Sequence, residues 1–122
     1  MGKVFVNFTN HPLGQWDEEQ IESARKYGDI VDLDFPNVDA AADEGEIRKL
    51  ARECVDKILE LEPAAVLCQG EFCLAYRVIT LLKEKNITVL AACSERNVKE
   101  CSLPGKERKK EVIYQFIRFR EY

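Results

Sequence analysis

Two continuous apolar runs, Ala64-Ala-Val-Leu-Cys68 and Ile87-Thr-Val-Leu-Ala-Ala-Cys93, constrain the fold of this chain most. A strand that is apolar on both sides belongs inside a parallel sheet covered by helices on both faces. Parallel neighbours need a crossover connection, and the sequence between the two runs supplies one. From Phe72 to Lys85, Leu74, Val78, Leu81 and Leu82 form one apolar stripe. Lys83 and Lys85 complement the dipole in the last turn, and Asn86 is placed to cap it.

The same alternation runs back to the amino end. Lys3-Val-Phe-Val-Asn-Phe8 reads as a first strand stopped by the polar turn Thr9-Asn-His-Pro12. Asp17 and Gln20 have the spacing of a capping box, Trp16 and Ile21 that of a hydrophobic staple, and the helix they open is expected to reach Tyr27 before Gly28. Asp29-Ile-Val-Asp-Leu-Asp-Phe35 alternates acidic and apolar residues, as a strand near a sheet edge does. Asp43 and Glu46 open a second helix, with Ile47, Leu50, Ala51, Cys54, Val55, Ile58 and Leu61 at helical spacing before Pro63. The expected architecture is one α/β domain over residues 1–122, Rossmann-like and three-layered, with a four-stranded parallel sheet in the order 2-1-3-4.

Residues 97–122 have another pattern. Val98–Ser102 and Glu111–Tyr122 read as two strands joined by the Pro104-Gly105 turn and the basic segment Lys106–Lys110, a carboxyl-terminal β-hairpin that extends the sheet in antiparallel sense or covers a partner subunit.

Composition removes several functions. A net charge of −4 is unsuited to non-specific binding of duplex nucleic acid. No apolar run is long enough to cross a membrane and the amino end does not read as a signal peptide, so a cytoplasmic location is expected. The five cysteines are an odd number and are expected to be mostly buried thiols rather than disulfides. Cys68 and Cys73 lack a second ligand pair, so no metal site is expected. No cofactor is expected either, because there is no GxGxxG after the first strand and no GxxxxGK[ST].

The site is expected where strand ends meet. Asn7-Phe-Thr-Asn-His-Pro12, Gln69-Gly-Glu71 and Cys93-Ser-Glu-Arg-Asn97 come after the first, third and fourth strands, whose carboxyl ends share one crevice in this topology. Gly70 permits a ligand to approach the backbone and the following helix start to meet a phosphate, or it simply makes the turn. His11, the single histidine, is a candidate proton carrier, or it bonds its own loop. Thr9 and Asn10 bind ribose or phosphate oxygens, or cap the turn. Arg96 holds two phosphate oxygens at once, or pairs with Glu71 or Glu95; Ser94 orients a ligand oxygen, or caps a turn. Glu71 and Glu95 are also candidates for a glycosyl-transfer carboxylate pair.

Val6-Asn-Phe-Thr-Asn-His-Pro12, Leu90-Ala-Ala-Cys-Ser-Glu-Arg96 and the short single-domain layout point to a family. The chain resembles the small stand-alone CRISPR-associated proteins with a Rossmann-like (CARF-like) fold, a group that includes ring nucleases. Such proteins often begin with a short strand followed by a serine- or asparagine-rich turn containing histidine. The resemblance implies a homodimer that binds cyclic oligoadenylate, the second messenger of type III CRISPR defence, across its two-fold axis. It also implies metal-independent cleavage, in which a ribose 2′-hydroxyl attacks the adjacent phosphate while the protein aligns it and steadies the developing charge. On this reading Thr9, Asn10 and His11 grip or deprotonate the ribose, Gln69 and Gly70 line the phosphate path, and Ser94 and Arg96 hold the scissile phosphate. Asn7, Glu71, Phe72 and Glu95 complete the ligand-binding set. The acidic Glu71 beside Gly70 departs from a phosphate-friendly turn and counts against cleavage more than against binding. Three other functions compete: a sensor or sponge that binds the same messenger unchanged, a nucleoside or nucleotide-sugar enzyme using Glu71 or Glu95, and an interaction module built on the terminal hairpin.

Overall fold

The computed structural model describes the backbone of residues 3–102 and 108–122 and the side chains of residues 3–97 and 113–122. Its elements are β1 (Val4–Phe8), α1 (Glu18–Arg25), β2 (Asp29–Asp32), α2 (Glu44–Glu60), β3 (Pro63–Cys68), α3 (Phe72–Glu84), β4 (Thr88–Ser102) and β5 (Arg108–Glu121), with a 3-10 turn at Leu13–Gln15.

Local chemistry sets the helix ends. The Asp17 carboxylate accepts the Gln20 amide at 2.9 Å and the Asp43 carboxylate accepts the Glu46 amide at 2.8 Å, satisfying donors that an uncapped first turn leaves open. α3 closes on Asn86, whose φ of 60° is left-handed; its amide donates to Lys83 and that of Ile87 to Leu82, the paired bonds of a Schellman motif. α2 begins the same closure at Glu62, φ 50°, whose amide donates to Leu59. Pro63 has no N–H for the second bond and instead starts β3, a strand position that tolerates proline. α1 stops at Arg25, short of the expected Tyr27, and the Tyr27 ring turns in toward Phe5 with centroids 5.8 Å apart. Gly28 comes next because a Cβ there would stand 2.3 Å from the Lys3 main-chain oxygen.

The sheet is five-stranded and mixed, in the order β2-β1-β3-β4-β5. β2, β1, β3 and β4 are parallel, and β5 pairs antiparallel with β4. The order 2-1-3-4 is the expected one and the hairpin extends the sheet in antiparallel sense, the first of its two expected roles; the correction is that the sheet is mixed rather than purely four-stranded and parallel. β4 does not end at Cys93: it continues through Ser94-Glu-Arg-Asn97 to Ser102 and is itself the first arm of the hairpin. The second arm starts at Arg108, inside the segment expected to be a turn. The Pro104-Gly105 turn lies outside the described residues.

Both faces of the sheet are covered. α2 and α3 pack on one, where Val6, Phe8, Val66, Cys68 and Val89 meet Ile47, Ala51, Val55, Ile58, Leu74, Val78 and Leu82. α1 lies on the other, where Phe5, Ala65, Leu67 and Leu90 meet Ala24, Phe116 and Phe119. Phe116 and Phe119, three residues apart, share a face because Cys93 pairs with Arg118 and Ser94 with Phe116, leaving Ile117 as the extra residue of a bulge. Of the cysteines expected to be mostly buried thiols, Cys54 and Cys68 are buried, Cys73 is exposed and Cys93 half-buried, and the Cys101 side chain lies outside the described residues. Burial pushes the Cys68 thiol up to about 12, so it stays protonated and inert.

Candidate functional site

In the order 2-1-3-4 the chain leaves β1 for β2 on one side, and β3 lies on the other, so the carboxyl ends of β1 and β3 flank a topological switch point. Asn7, near the end of β1 and 1% exposed, organises the loop from Thr9 to Leu13. Its Nδ2 donates to Asp32 Oδ1 and to the His11 main-chain oxygen, both at 2.8 Å, and its Oδ1 accepts the Thr9 hydroxyl at 2.8 Å. Thr9 Oγ1 in turn accepts the His11 amide at 3.1 Å, Asp32 accepts the Leu13 amide, and the Trp16 indole N–H donates to the His11 oxygen at 2.9 Å. The loop is therefore fixed through the main chain of His11, while the exposed imidazole takes no part in these bonds.

A crevice of about 180 Å³ opens beside this loop. Leu67 and Ala92 floor it, and Thr9, His11, Gln15, Trp16, Gln20 and Gln69 ring it. Gln69 bridges β3 and β4 beyond their last paired residues: its Oε1 accepts the Ala92 amide at 3.0 Å. No carboxylate, lysine or arginine lines the crevice, whose polar walls are amides, a hydroxyl, an imidazole and an indole. Gln15, Trp16, Gln20 and Ala92 are the lining residues that sequence reasoning missed. Trp16 and Gln20 carried the signal of a helix start, and nothing in their spacing marked them as lining a crevice.

The remaining candidates lie elsewhere. Asn7 is scaffolding, since all three bonds its amide makes hold the loop and Asp32. Asn10 is exposed on the same loop. Gly70 is dictated by Phe35, whose ring a Cβ would meet at 2.5 Å. The Glu71 carboxylate caps α3, accepting the Leu74 amide at 2.8 Å and the Cys73 amide at 3.0 Å, and these bonds hold it below the usual glutamate range. The helix terminus offered to a phosphate is thus filled by the chain's own acid. Phe72, 89% exposed, lies on another groove of about 630 Å³ with Gly70, Tyr76, Lys83 and Tyr122. There the Tyr122 hydroxyl donates to the Cys68 oxygen at 2.7 Å and Lys83 Nζ to the Tyr122 main-chain oxygen at 2.7 Å. Ser94, Glu95 and Arg96 are exposed on the solvated part of β4, cross-strand from Phe116, Gln115 and Tyr114. Of the expected site, Thr9, His11 and Gln69 meet in one place. Among the described residues no cluster of His, Cys, Asp and Glu suited to a metal ion is found.

The molecule is an α/β protein whose mixed five-stranded sheet carries a polar crevice at its switch point. It belongs to the uncharacterized protein MJ1673 family, whose model matches residues 3–120. No curated protein matches the chain.

Proposed function

We propose that this chain binds cyclic oligoadenylate, the messenger of type III CRISPR defence, with two copies of the chain sharing one ring. The observation that carries the reading is the chemistry of the crevice. Carboxamides such as those of Gln15, Gln20 and Gln69 match the donor and acceptor edge of adenine, and an indole offers its face to a base. At about 180 Å³ the crevice is smaller than the ~300–1,000 Å³ of pockets that enclose a drug-sized ligand, so one copy holds only part of a ring. Capture is favoured over turnover, because the cationic Arg96 stands out along β4 and Glu71 fills the α3 terminus.

Cleavage is the second reading, and the uncommitted His11 imidazole favours it. It would take the proton of a ribose 2′-hydroxyl as that oxygen bonds to phosphorus and the bond from phosphorus to the 5′-oxygen breaks; the 5′-oxygen takes a proton from water and the imidazolium returns its own to solvent, giving a linear product with a 2′,3′-cyclic phosphate. Trp16, the single tryptophan, lines the crevice, so its emission reports occupancy directly. Titration of the protein with cyclic tetra- and hexa-adenylate is expected to shift that emission, and the ligand is expected to be recovered intact after incubation without added metal. Linear products abolished by His11→Ala would establish cleavage, and an unchanged emission with no binding by dialysis would defeat the adenylate reading.

A further inference from the structure

The crevice does not end at Ala92. β4 continues through Ser94 to Arg96, and the partners of these three residues across the antiparallel ladder are Phe119, Phe116 and Tyr114. Alternate residues of a strand share a face, and residues directly opposite one another share it too. The bulge inserts its extra residue, Ile117, into β5, so the alternation of β4 from Ala92 to Arg96 is unbroken. Phe116 and Phe119 identify the face: both are buried in the core beneath α1, the side on which Trp16 and Ala92 also pack. Ser94, Arg96 and Tyr114 therefore stand on the crevice side of the arm. Arg96 is exposed and Tyr114 is 69% exposed, and they are direct cross-strand neighbours.

We propose that Tyr114 and Arg96 form the outer half of an oligonucleotide site whose inner half is the crevice, with Tyr114 stacking a base and Arg96 gripping a phosphate. The inference rests on reading the crevice as a nucleotide site and adds which residues beyond the crevice hold the rest of the ligand. Arg96 lies four residues past Ala92, about 13 Å along a strand that rises ~3.3 Å per residue. A ligand that touches both ends of this strip carries more than one nucleotide. The guanidinium supplies the positive charge that the crevice lacks, in the planar fork suited to phosphate, and the phenol ring accepts any base on its face.

The test compares AMP with cyclic tetra-adenylate, both monitored through Trp16 emission, in the full chain and its variants. Tyr114→Ala and Tyr114→Leu are each expected to weaken cyclic tetra-adenylate about 10-fold while Tyr114→Phe does not, since leucine keeps apolar bulk on the strand but has no π face. Arg96→Gln is expected to weaken it and to reduce the dependence of log affinity on log salt by about one unit of slope. AMP, confined to the crevice, is expected to bind every variant like the parent. Equal affinity of Tyr114→Leu and the parent for cyclic tetra-adenylate would overturn the strip and leave the crevice reading intact. Parallel loss of AMP binding would overturn it too, by showing that the arm acts through the fold. If neither nucleotide binds the parent, the crevice reading falls and the strip falls with it.

Discussion

Along β4, Val89 and Leu90 are almost fully buried between parallel β3 and antiparallel β5, whereas Ser94, Glu95, Arg96 and Asn97 on the same strand are exposed and pair with β5 alone. The first half is held by what its side chains bury on two helical layers. The second half is held by main-chain hydrogen bonds, with its side chains free to face a ligand. The point where one regime gives way to the other is the bulge at Ile117, which lets Phe116 and Phe119 both reach the core beneath α1. One strand thus carries both the anchor of the fold and the exposed polar groups beside the crevice.

Breaking that junction is expected to have the largest effect. Phe116→Ala empties the place beneath α1 into which the bulge turns that ring. The loss is expected to be about 3–5 kcal/mol in urea unfolding, the range for deleting a buried aromatic. Ile117→Ala, at a position half exposed, is expected to cost under ~0.5 kcal/mol. Equal effects of Phe116→Ala and Ile117→Ala would mean that the bulge does not seat Phe116 in the core.

A smaller effect separates buried from exposed polar groups. Asn7→Ala leaves Asp32, the Thr9 hydroxyl and the His11 oxygen each without one partner and is expected to cost about 2 kcal/mol. Trp16, which donates to that same His11 oxygen, is expected to shift its emission to longer wavelength as the loop loosens. Ser94→Ala, on the exposed arm, is expected to change neither stability nor emission.

The same division governs how much was legible in the sequence. Elements defined by burial or local capping were readable: the apolar run of β3, the carboxylates of Asp17 and Asp43, and the cap at Asn86. The second half of β4 was not, because four polar residues look alike in a loop and in a two-stranded ribbon wet on both faces, where the ladder rather than burial defines the strand. The bulge at Ile117 is a property of two strands' relative register, which neither strand's own pattern contains. The convergence of Thr9, His11 and Gln69 at the strand ends was readable from topology alone. The contact of Gly70 with Phe35 and the seating of Gln15 beside Trp16 depend on packing between segments distant in sequence or on a 3-10 turn without a periodic signal. The displacement of Arg96 onto the arm is a result of the longer β4.

The smallest expected effect concerns Glu71 and bears on function as well as stability. Its carboxylate, held below the ordinary glutamate value by the amides of Leu74 and Cys73, stabilises the folded state above the unfolded pKa near 4.5, and that contribution is lost as pH falls through the lower folded value. Glu71→Gln removes the charge, so its Tm at pH 7 is expected to lie about 3 °C below the parent's, a small difference because the group is exposed and screened by solvent. The gap should close as the medium is acidified below that range and narrow with added salt. A gap that persists unchanged to low pH would show that the carboxylate charge is not what caps α3. The same variant separates two chemistries. If Glu71 were a glycosyl nucleophile, glutamine would abolish turnover of a nucleoside substrate. If the crevice binds oligoadenylate, affinity should hold or rise, because removing an anion at the α3 terminus can only favour a nearby phosphate.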